Sequence, residues 1–251
     1  MSILTIASKE FRGLFLSPLA WSVLGVVQII LAYLFLTQID TYLTLQPRIA
    51  AIEGAPGVTA LVVAPVFANA AVVLLLITPL LTMRLISEER RNKTLSLLFS
   101  APLSMTEIVL GKYLGALGFL LIMVAMVSLM PISLYSETQL DSGQLAACIL
   151  ALILLVASFT AIGLFMSTIA SQPAVAAVGS FGTLLFLWIL DWAGASSNST
   201  GGIFEYLSML RHFENILKGL VSSTDVLYYL LFIITFIVLS IRYLDSDRLQ
   251  K

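Results

Sequence analysis

The sequence predicts an all-α membrane protein: six transmembrane helices, an amphipathic N-terminal helix, a cytosolic helix between spans two and three, and an external amphipathic helix before span six. Three observations predict it. The 251 residues are 59% hydrophobic and only 11% charged, against roughly 25% charge in a soluble domain, so the chain cannot make a polar skin. Its apolar residues gather in runs long enough to cross a hydrocarbon core of about 30 Å. Its basic residues are unevenly divided between the two sides such spans define. One domain over residues 1–251 is expected, and the net charge of −1 leaves no basic field for nucleic acid.

Residues 2–17 place Ile3, Leu4, Ile6, Ala7, Phe11, Leu14 and Phe15 near helical spacing, with Lys9, Glu10 and Arg12 opposite. This is an amphipathic helix lying in the interface, or one that also touches a partner. Those charges precede any long apolar run, so a cleavable signal is not expected. Span one covers 19–39 with Gln28 at its centre, and 40–59, with Pro47 and Pro56, reads as an external loop. Span two covers 60–85. Pro65 and Pro79 would bend it, because proline removes intrahelical hydrogen bonds.

The charged run 86–108 follows. Ser104 and Glu107 have the spacing of a capping box, with Leu103 and Ile108 at the staple positions. Span three covers 106–135, with Gly111, Gly115 and Gly118 on one side, where small residues let helix backbones approach. Spans four and five cover 144–167 and 174–192, the latter with a small-residue face that includes Gly179 and Gly182. Residues 203–221 are too mixed to span. Phe204, Leu207, Leu210, Phe213 and Leu217 predict a helix lying on the membrane or folding into the mouth. Span six covers 226–244, with Ser223 as its cap and Asp225 at its positive end.

With both termini cytosolic, that side holds Lys9, Arg12, Arg84, Arg90, Arg91, Lys93, Lys112, Arg242, Arg248 and Lys251, and the other only Arg48, Arg211 and Lys218. This asymmetry is the one expected for a chain with both ends inside.

No Asp, Glu, Lys, Arg or His falls well inside a span, so a gradient-driven carrier is not expected. Gln28, Asn69, Ser128, Ser158, Thr160 and Thr183 are expected to hydrogen-bond between helices. His212 reads as a surface or interface histidine rather than a metal ligand or base, and Cys148 as a small core residue. With no phosphate-binding glycine loop and no catalytic pair, the chain is not expected to be an enzyme or to hold a cofactor or metal. The charged run itself offers acids at a helix start and an apolar surface from Thr94, Leu95, Leu97, Leu98 and Phe99, ended by Pro102. It reads equally as a docking helix and as a helix resting on lipid.

The stretch from Leu85 to Tyr113, with Glu88-Glu89, Thr94-Leu95, Pro102 and Ile108-Val109-Leu110-Gly111-Lys112, resembles the coupling region of ABC-2-type permeases. The opening 7–20 and Asp225-Val-Leu-Tyr-Tyr-Leu230 continue the likeness, which is nearest to gliding-motility-associated permeases, with copper-enzyme-maturation permeases next. In that family a glycine commonly precedes the threonine, where this chain has Asn92-Lys93. The resemblance implies a permease subunit in membrane lipid, an exporter by preference, paired with a second copy or a homologous permease. A cytosolic ATPase dimer would hold ATP and Mg and push the coupling helix, tilting spans one, two and five. Glu88, Glu89, Arg90, Arg91, Thr94, Leu95, Leu98 and Pro102 would be its contacts. An external accessory subunit fits a competing reading, a scaffold that passes the ATPase stroke outward without moving cargo. A path of Ala, Gly, Ser and Leu suits lipids or apolar peptides as cargo.

Overall fold

The computed structural model describes residues 3–49, 57–95, 103–136, 138, 140–195 and 208–249. Helix α1 (Ile3–Leu16) is followed, across Ser17, by α2 (Pro18–Ile49). A π-helical turn (Thr59–Val63) opens α3 (Ala64–Thr82), and a short α4 (Ser87–Arg91) follows. Then come α5 (Met105–Ile132), which ends in a 3-10 turn (Ser133–Ser136), α6 (Ser142–Ile169), α7 (Pro173–Ala195), α8 (Met209–Leu217) and α9 (Ser223–Leu249). The helical stretches of α2, of α3 with α4, and of α5, α6, α7 and α9 are six segments long and apolar enough to cross a membrane.

Helix α6 is the central post. Its most apolar window is 78% buried, against 22% for those of α2, α7 and α9, which therefore form the rim. Helix α3 crosses α6 closely. A Cβ built on Gly163 would lie 2.0 Å from Thr82 Oγ1, so only glycine permits this crossing.

Several expectations need correction. Residues 40–49 continue α2 instead of forming a loop. The hydroxyls of Thr37, Thr41 and Thr44 donate to carbonyls three or four residues earlier, and leaving an apolar layer does not itself stop a helix. Pro65 occupies the first turn of α3, directly after the π-helical turn, where its missing N–H costs little. Ser222, not Ser223, caps α9, its hydroxyl accepting from Thr224 N at 3.3 Å. Ser128, Ser158, Thr160 and Thr183 do not bond between helices. Each donates to the carbonyl four residues back in its own helix, the nearest acceptor in an apolar bundle. Gln28 Nε2 is buried with no partner among the described residues.

Helix α8 folds into the end of the bundle, with Met209, Phe213 and Ile216 fully buried and Tyr229 Oη donating to Met209 O at 2.8 Å. His212 is therefore no surface residue. It is 7% exposed, its Nδ1 lies 2.5 Å from Asp225 Oδ1, and its ring stacks on Tyr228 at 4.2 Å. Sequence periodicity did not show that α9 would bring a carboxylate to it. Residues 203–207 of the expected external helix lie outside the described residues.

Candidate functional site

Helix α4 has five residues, too few to hold itself together in water. Tertiary contacts hold it instead. Its first N–H groups have no carbonyl to bond, and Ser167 of α6 supplies the acceptor. Ser167 Oγ accepts from Ile86 N at 3.0 Å and Ser87 N at 3.1 Å and donates to Met83 O at 3.0 Å. All three of Ile86, Ser87 and Ser167 are fully buried.

The other end closes as a Schellman motif. Thr94 N donates to Glu89 O at 3.0 Å and Lys93 N to Arg90 O at 3.2 Å, with Lys93 at φ +57°. Lys93 stands in the left-handed position that glycine fills without steric cost, just before the threonine where the resembling permeases commonly carry one. Lys93→Gly is expected to stabilise this end by about 1 kcal/mol. Slower hydrogen exchange at the Lys93 and Thr94 amides would check it, and unchanged exchange would count against a left-handed turn.

Between its ends, α4 turns different side chains in different directions. Glu89 Oε1 lies 2.9 Å from Lys112 Nζ of α5, which also meets Glu10 Oε1 of α1 at 2.8 Å. Arg90 reaches Asp247 of α9 and the Thr168 carbonyl in the last turn of α6, both at 2.8 Å, and its guanidinium lies 5.8 Å from the Tyr243 ring centroid. Glu88 and Arg91 face outward, with side chains 41% and 56% exposed and a loose 3.8 Å contact between them. The chain termini and α4 thus share one end of the bundle.

Of the residues proposed from sequence, Glu88, Arg91 and Thr94 are accessible, while Glu89 and Arg90 are committed to other helices. Leu95 is 2% exposed, packed with Leu85, Ile86, Met105 and Ile108. The reversal at Lys93 turns it inward, away from the expected docking surface. Leu98 and Pro102 lie outside the described residues. The capping box is present, with Glu107 N donating to Ser104 Oγ at 3.2 Å and Ser104 N to Glu107 Oε2 at 3.0 Å. From sequence Lys112 counts only among the cytosolic basic residues and in the family-like entry to span three, because a lysine one turn inside a span does not by itself show an inward partner. Its position between two glycines was the available signal.

Those glycines seat α1 rather than another span. A Cβ on Gly111 would lie 2.6 Å from Ile6 Cβ, and one on Gly115 2.7 Å from Glu10 Cβ and 2.9 Å from Ala7 O. At Gly118 the neighbour is the Phe11 ring at 3.2 Å. Gly179 meets Met166 Sδ at an ordinary 3.4 Å, and Gly182 has nothing within 4 Å. Gly115→Ala is expected to cost about 1–2 kcal/mol, since the terminal α1 can lift to relieve the overlap. Faster proteolysis near Arg12 at unchanged bundle stability would show that relief, and wild-type cleavage would contradict it.

Among the described residues no group of His, Cys, Asp or Glu could hold a metal ion. The site is mechanical in character: a short helix fixed on its inner side and charged on its outer side. A family model described as ABC-2 family transporter protein matches residues 4–248, from α1 to the last turn of α9. The chain belongs to the ABC-2 transporter family. No curated protein matches it. It is a multi-pass membrane protein and a permease subunit of an ABC transporter.

Proposed function

We propose that this permease works as an exporter in the bacterial inner membrane, as a pair with itself or a homologous permease. Both termini face the cytosol. A separate ATPase dimer binds ATP and Mg there and pushes on α4 at Glu88, Arg91 and the turn at Thr94. The observation that carries this reading is the division of α4 into an inner side joined to α1, α5, α6 and α9 and an outer side left to water. A load applied to a helix so fixed moves the helices attached to it. The basic residues gathered at the same end support the orientation.

The test is reconstitution with the ATPase and measurement of permease-stimulated ATP hydrolysis. Glu88→Lys and Arg91→Glu are expected to lower stimulation roughly tenfold by inverting charge at the contact, with thermal stability retained. Wild-type stimulation in both variants would remove α4 as the contact. Export predicts accumulation of a fluorescent phospholipid analogue in the luminal leaflet of inside-out vesicles on ATP addition, and ATP-driven loss from that leaflet would reverse the direction.

A further inference from the structure

Lys112 lies in the second turn of α5, and its side chain is 4% exposed. A buried ammonium must be paired or it is strongly disfavoured. Its two partners come from elements far apart in sequence, Glu10 of α1 at 2.8 Å and Glu89 of α4 at 2.9 Å. Helix α1 reaches the lysine because Gly111 and Gly115 carry no Cβ. The second Glu89 oxygen, Oε2, is buried without a hydrogen-bond partner among the described residues, so among them Lys112 is that carboxylate's partner. Beyond Glu10, α1 meets both α5 and α2: Phe15 packs edge-on to Phe119 of α5 at 5.1 Å and to Trp21 of α2 at 5.7 Å, and the Trp21 indole donates to Phe15 O at 2.8 Å.

We propose that Lys112 is a positioning residue that ties α4 to α1, so that the two move as one body through the ATPase cycle. The stroke received at α4 then enters the membrane along two routes, through α5 directly and through α1 into α2. The tie explains why a span should carry a lysine facing inward rather than toward water. It also gives α1 a mechanical role beyond resting on lipid. The importance of the tie for transport rests on the proposed function, but its existence does not.

The experiment uses spin labels at Ser8→Cys on α1 and Asn92→Cys after α4, both exposed positions, with the buried Cys148 replaced by Ala. Distances are measured in lipid nanodiscs for the permease alone, and for its ATPase complex without nucleotide and trapped with ATP. The wild-type label distance is expected to stay within about 2 Å across the complex states, less than one helical step. Lys112→Met with Glu10→Gln and Glu89→Gln leaves neither a buried ammonium nor an unpaired buried carboxylate and should fold. It is expected to broaden that distance in the permease alone and to lower permease-stimulated hydrolysis about 3- to 30-fold. Lys112→Arg should restore both. Asp247→Asn loosens α4 only from α9 and should leave the α1–α4 distance narrow, which separates the tie from a general loosening. A wild-type distance that changes by about 5 Å or more between states would overturn the proposal, as would a triple variant with wild-type distances. If the ATPase fails to cross-link near Arg91, the coupling assignment falls, and the measurement on the permease alone still decides the tie.

Discussion

Replacing Ser167 with alanine is expected to detach the start of α4 from the bundle. One hydroxyl serves Ile86 N, Ser87 N and Met83 O at 3.0–3.1 Å in a fully buried place. Alanine leaves two buried N–H groups without acceptors, at about 1–3 kcal/mol each. Water has no open route to replace the hydroxyl, and a five-residue helix has little internal stability to absorb the loss. The expected result is a drop of about 2–5 kcal/mol in the local opening energy of residues 86–91, read as faster hydrogen exchange there. The Ile86 and Ser87 amides should lose protection first, while the centre of α6 keeps its own. Ser167→Thr retains the oxygen and should recover most of the protection. Wild-type exchange in the alanine variant would mean that α4 is held by its ion pairs alone.

Gly163→Ala is expected to be the most damaging single methyl in the bundle. The added carbon would sit 2.0 Å from Thr82 Oγ1 and 2.7 Å from Thr82 Cβ. Thr82 cannot swing aside cheaply, because its branched side chain is held by a 2.8 Å bond to the Thr78 carbonyl. Relief requires separating α3 from α6, the central helix. The expected cost is about 3 kcal/mol, the upper end for overpacking a core, measured as a fall in thermal unfolding temperature in detergent. Pairing Gly163→Ala with Thr82→Ala should recover much of it. A single variant as stable as the wild type would show that the two helices stand further apart than the contact requires.

What the sequence revealed depends on what each feature needs to be visible. Spans four and five and the Ser104–Glu107 box are local matters: apolar length and a three-residue spacing suffice. The end of α2 was misread, because Asp40 marks a change of surroundings and not a break in hydrogen bonding. The hydroxyl residues within spans were assigned to neighbouring helices, although each satisfies itself on its own turn. The candidate site was legible as a charged run with an acidic start. Its division into an outer face at Glu88 and Arg91 and an inner face at Glu89 and Arg90 was not, since helical spacing around a five-residue turn cannot say which side meets α1, α5 and α9. The inward turn of Leu95 follows from a left-handed residue at Lys93, an unusual conformation for lysine.

The sequence by itself determined that this chain lives in a membrane, crosses it six times by helices, and carries a charged step between spans two and three. Those facts follow from hydropathy and spacing along one strand of chain, which need no folding to be read. Only the tertiary structure decided that Ser167 caps that step, that Lys112 joins Glu10 to Glu89 across a glycine seat, and that His212 finds Asp225 in the interior. Each of these pairs residues tens of positions apart or on separate helices, and their energies arise from burial, which exists only once the helices have packed.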